Sequence, residues 1–63
     1  MMDDIRRDFR DRSDATLISY WNEGNGSLSW NIALEETLRV RGYKTRDENG
    51  MPREIPVPGD KHD

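Results

Sequence analysis

The side chains able to do chemistry are few in this sequence. Its one histidine, His62, stands one residue from the end, with Asp60 and Asp63 beside it. A three-residue group on a chain terminus is a weak ligand set, so no metal and no cofactor are expected. Nucleophilic catalysis needs a serine or cysteine beside a base. The chain has no cysteine, and its single histidine lies too far out to reach a core serine. Carboxylate pairs do occur, at Asp3-Asp4 and Glu35-Glu36. Neighbouring residues on a helix point about 100° apart and do not converge on one substrate. The "GNGS" stretch from Gly24 to Ser27 has too few glycines for a phosphate loop and no lysine after it. A chain of 63 residues can scarcely enclose the several hundred Å3 that small-molecule sites use. No catalytic residue is assigned and no enzymatic activity is expected.

The second chemical feature is basic. Arg39, Arg41, Lys44 and Arg46 cluster around Tyr43 and could meet phosphates as a patch. Upstream, "LISYWNEGNGSLSWNIA" runs from Leu17 to Ala33, a helix-forming stretch that closes on Trp21 and Gly24 and is followed by a segment with Ile32-Ala33. These 17 residues resemble the front of a helix-turn-helix unit. That resemblance implies a DNA-binding regulator, with Arg39, Arg41, Lys44 and Arg46 as its nucleic-acid contacts. The sequence departs from the pattern at the next step. A recognition helix begins after a turn about three to four residues long, whereas "IALEETLRVRGY" continues without a break to Gly42. Five acidic residues in the first fourteen and a net charge of -3 also oppose a nucleic-acid partner. The same charge, interleaved with arginine, is too dilute for an acidic mimic of DNA.

The elements that must position these residues are helical. About 3–12, 14–23 and 28–41 read as three helices in a domain over 1–43, followed by a tail over 44–63. In the first helix Ile5 and Phe9 share a narrow apolar face, which must dock on something to be stable. Ser13 or Asp14 can cap the second helix, where Leu17, Ile18 and Trp21 form the apolar side, and Gly24 can end it. The third starts near Ser27 to Ser29 and stops at Gly42, with Tyr43 placed to fold back on Leu38. Two to five residues between the second and third helices make a helical hairpin. The tail holds all three prolines, Pro52, Pro56 and Pro58, and a turn signal at Asn49-Gly50. It is expected to be extended, with Ile55 and Val57 as its apolar handles. The fold class is therefore mainly α: a small helical hairpin braced by an N-terminal helix, with a Pro-containing extended C-terminal tail.

Hydrophobic residues make up only 32% of the chain and charged residues 37%. So polar a chain must use its apolar groups economically. Yet the third helix is apolar on more than one side. Trp30, Leu34 and Leu38 fall on one face, Leu28 and Ile32 well away from it, and Ala33 and Val40 toward the far side. A helix apolar on several faces is usually buried on several faces. The first two helices can cover only part of it, and the remainder needs either the C-terminal tail or another chain, which points to another protein or a homo-oligomer. Eight of the ten basic residues are arginine, a type enriched at interfaces.

The expectation is a small non-catalytic protein-interaction module, an inhibitor or adaptor. Its partner-binding residues would be Tyr20, Trp21, Trp30, Leu34, Leu38, Arg39, Arg41 and Tyr43. No stretch is apolar enough to span a membrane, and the N-terminus lacks the apolar segment of a signal peptide. The expected location is the cytoplasm, or the host's cytoplasm if a phage or mobile element encodes the chain, an origin suggested by size alone.

Overall fold

The computed structural model describes residues 2–57. Met1, Pro58 and the Asp60, His62 and Asp63 group lie outside them. Within them the protein is mainly helical: α1 spans Met2–Arg10, α2 Asp14–Glu23 and α3 Leu28–Val40. The central helix is α3, which packs against both α1 and α2.

Local chemistry sets the helix ends. The Ser13 hydroxyl accepts from the Thr16 backbone N–H at 3.2 Å and starts α2. Ser27 does the same for Trp30 at 3.2 Å and starts α3. Each serine satisfies a first-turn donor that has no partner within its helix. Gly24 closes α2 in the left-handed conformation, at φ 68°. At the end of α3, Tyr43 N–H donates to the Leu38 carbonyl and Gly42 N–H to that of Arg39, both at 3.0 Å. This double bond pattern is the Schellman ending, and Gly42 supplies the positive φ it needs, 98°. The last turn of α1 tightens instead. Asp11 and Arg12 donate three residues back, to Asp8 and Phe9, so the helix stops short of Arg12.

The core is assembled from all three helices and one distant residue. Phe9 comes from α1, Leu17 and Ile18 from α2, Ala33, Leu34 and Leu38 from α3, and Ile55 from beyond them. Ile5, Tyr20, Trp21, Trp30, Tyr43 and Val57 pack around this centre, half-buried. Trp30 meets Phe9 edge-on, ring centroids 4.8 Å apart and planes at 78°, and Tyr20 tilts against its other side at 5.5 Å. Such edge and tilted contacts add to the area buried, because the positive ring edge meets the negative ring face.

After α3 the chain folds back on this core. A tight turn at Asp47–Gly50 joins Arg46 and Pro52, which pair as an antiparallel bridge. Asp47 donates its N–H to the Met51 carbonyl at 2.9 Å, and its carboxylate accepts from the N–H groups of Asn49 and Met51. Gly50 takes φ 80°, the left-handed position of a three-residue hairpin loop. Residues 53–57 then run back over α2 and seat Ile55, 3% exposed, in the core.

Candidate functional site

Three helices and a return strap leave part of α3 uncovered. Leu28 is 76% exposed, Ile32 42% and Val40 87%. Leu28 and Ile32 are one helical turn apart, on the same side of α3. With Trp21 and Gly24 at the end of α2, and Pro52 of the hairpin, they line an open groove of about 290 Å3. Asn31, Glu35 and Arg46 give the groove its polar edge. Val40 lies apart, in an open hollow of about 330 Å3 with Arg6, Arg10, Glu36, Thr37 and Arg41.

The eight expected partner-binding residues divide between interior and surface. Leu34 and Leu38 are fully buried, and this corrects their assignment to a partner surface. The reason is geometric. They occupy the face of α3 that α1 and α2 cover, so the face left to solvent belongs to Leu28 and Ile32. Trp30 and Tyr20 are half-buried and meet in a tilted ring contact. Trp21 is half-buried and walls the groove, and its ring N–H donates to the Arg53 carbonyl at 2.9 Å. Arg39 is exposed.

Arg41 and Tyr43 hold the fold together instead of facing outward. The Arg41 guanidinium donates to the Phe9, Arg10 and Arg12 carbonyls at the end of α1, at 3.1, 3.4 and 2.9 Å. It also pairs with the Asp14 carboxylate at 2.6 Å. A cation there meets the negative end of the helix dipole and satisfies carbonyls left without helical partners. Tyr43 donates its hydroxyl to the other Asp14 oxygen at 2.8 Å. The Tyr43 hydrogen bond, and then Arg41, hold the Asp14 carboxyl below its ordinary value. The same bond pushes the Tyr43 hydroxyl above its own.

The cationic cluster weighed for nucleic acid is likewise partly consumed. Arg46 grips both Glu35 oxygens, at 2.7 and 3.1 Å, and caps the hairpin through the Gly50 carbonyl at 2.8 Å. The buried Thr45 hydroxyl donates to Glu35 at 2.7 Å. Arg46 first, and Thr45 with it, lower the Glu35 carboxyl from its ordinary value. With Arg41 and Arg46 committed to Asp14 and Glu35, Arg39 and Lys44 are the exposed cations of the cluster that make no ion pair among the described residues.

Sequence reasoning missed Asn22, Asp14, Glu35 and Thr45 as organising residues. Asn22 binds both polar groups of the Ile55 peptide, 33 positions away. The expectation for Trp21, and the exclusion of Leu28 and Ile32 from the Trp30, Leu34 and Leu38 face, marked parts of the groove in advance. No protein-family model matches the chain, nor does any curated protein or solved structure.

Proposed function

We propose that this chain is a small non-catalytic protein-interaction module, an inhibitor or adaptor. Its groove beside Leu28, Ile32 and Trp21 receives an apolar ridge of another protein, such as one face of an amphipathic helix. The observation that carries this reading is the exposure of Leu28 and Ile32 in a chain with few apolar residues to spare. Trp21 gives the groove the aromatic wall that binding hot spots favour. The carboxylates with lowered affinity for protons, Asp14 and Glu35, are each held by a structural arginine, which supports a non-catalytic role. The same two arginines are withdrawn from any phosphate-binding patch, which favours a protein partner over DNA.

A second copy is the competing occupant. A handful of groove residues falls far short of the roughly 20–30 residues per side of a standard interface, which favours a compact ridge on another protein over a permanent dimer. Affinity capture with the wild type and with Leu28→Glu/Ile32→Glu, followed by titration of the purified partner, tests this. A partner bound by the wild type and weakened about 30-fold by the double substitution is the expected result. Identical captured sets on both baits would overturn the reading. So would a light-scattering mass near twice 7.4 kDa that the substitution returns to 7.4 kDa.

A further inference from the structure

The strap that completes the core is held in the manner of a bound peptide. Among the described residues, the backbone of 53–57 makes one backbone bond to the rest of the chain, from Arg53 N–H to the Thr45 carbonyl at 3.0 Å. Side chains of α2 supply the other polar contacts to that backbone, while the Arg53 guanidinium donates to the Lys44 carbonyl at 3.2 Å. Asn22 donates its amide N–H to the Ile55 carbonyl and accepts from the Ile55 N–H, both at 2.9 Å. Trp21 donates to the Arg53 carbonyl, two residues earlier, at 2.9 Å. Between these contacts the Ile55 side chain enters an apolar seat in the core shared with the three helices. Pro52 and Pro56 remove donors on either side, so the segment cannot extend into a regular ladder.

Backbone groups read by fixed side chains, with one apolar side chain in a pocket, form a recurring mode of peptide recognition. The polar edge of the receiving site also reaches the surface, while its apolar floor is buried beneath Ile55. Asn22 is exposed, and an open groove of about 390 Å3 lined by Trp21, Asn22, Gly24, Pro52, Arg53 and Glu54 lies along the strap. We propose that the Ile55 seat, with Asn22 and Trp21, is a receptor site for an Ile-Pro segment of another protein, and that residues 53–57 occupy it in cis as a displaceable strap. The strap then sets a threshold. A tethered occupant competes at an effective concentration in the millimolar range, so an incoming segment must bind better or arrive when the strap is open. This site shares Trp21, Gly24 and Pro52 with the Leu28 and Ile32 groove but uses neither Leu28 nor Ile32. A Leu28→Glu/Ile32→Glu chain, folded with Ile55 seated, retains it.

The probe is a fluorescent synthetic peptide spanning residues 51–57. Anisotropy titrations compare the full-length wild type with full-length Ile55→Ser, which withdraws the apolar side chain from the seat and so weakens the strap's hold, with Asn22 and Trp21 left in place. Ile55→Ser should take up the peptide about tenfold or more tightly than the wild type. In a double variant that circular dichroism shows to be still folded, adding Asn22→Ala should abolish that gain. A folded Ile55→Ser chain that ignores the peptide overturns the proposal. A dimer that forms with concentration and takes up no peptide gives the seat to a second copy and also overturns it. Should Ile55→Ser fail to fold, native-state hydrogen exchange on the wild type decides. The Ile55 amide exchanging well ahead of the core amides of α3 supports a strap that opens alone. Equal rates mean that it opens only with the whole chain, and the proposal fails.

Discussion

At the scale of single residues, a few side chains have tasks out of proportion to their size. Arg41 ties α3 to the end of α1 and the start of α2 through three carbonyls and one carboxylate. Arg41→Met should lower the melting temperature clearly more than Arg39→Met, because Arg39 is exposed. Paired thermal melts check this, and equal shifts would remove Arg41 from its structural role. Gly26 illustrates a steric limit. A methyl group there would stand within 2.8 Å of three atoms of the Trp30 indole. Gly26→Ala should therefore cost about 1–3 kcal/mol by overpacking and push Trp30 off Phe9. Denaturant unfolding followed by tryptophan fluorescence measures both.

Between elements, the hydrogen bonds carry a pH dependence with a definite sign. Asp14 and Glu35 titrate below their ordinary 3.8 and 4.5, so the folded state favours their charged forms. Their contribution is fully present above those ordinary values and is lost as pH falls through the lowered ones. Tyr43 titrates above its ordinary 10.0, so the folded state favours its neutral form. That contribution is present below 10.0 and is lost as pH rises through the raised value. Stability should accordingly be flat near neutrality and fall on both sides. Tyr43→Phe should remove most of the alkaline limb and shallow the acid one, as read by denaturant midpoints across pH. Asn22→Ala should cost about 1–3 kcal/mol by leaving both polar groups of the Ile55 peptide unpaired.

The same elements separate what the sequence made legible from what it did not. Ser13, Ser27, Gly24 and Gly42 act within a turn of their own positions, and each of these signals could be read directly. Asn49-Gly50 marked its turn for the same reason. The Asn22 clasp on Ile55 and the Arg41 pairing with Asp14 join residues 33 and 27 positions apart, and no local pattern encodes them. Apart from Trp21, the candidate site was legible by subtraction. The projection of α3 separated Leu28 and Ile32 from Leu34 and Leu38, but which set faced inward depended on where α1 and α2 docked.

For the whole molecule, the question is how so few apolar residues are divided between folding and recognition. Chains this small bury only about 60% of their unfolded surface and are marginally stable. Leu34→Ala should cost about 2–5 kcal/mol, enough to unfold much of a domain whose reserve begins near 5 kcal/mol. Leu28 and Ile32 belong to the other account: they remain outside the core, and the proposed function gives them to a partner. Denaturant unfolding of Leu28→Gln/Ile32→Gln against the wild type tests that division most directly, since glutamine keeps the helix propensity and removes the apolar surface. A loss below about 1.5 kcal/mol is expected, because these side chains are largely exposed already. A loss of about 3 kcal/mol or more, in the range of a core truncation, would mean that the fold itself uses them and that no apolar face is held in reserve.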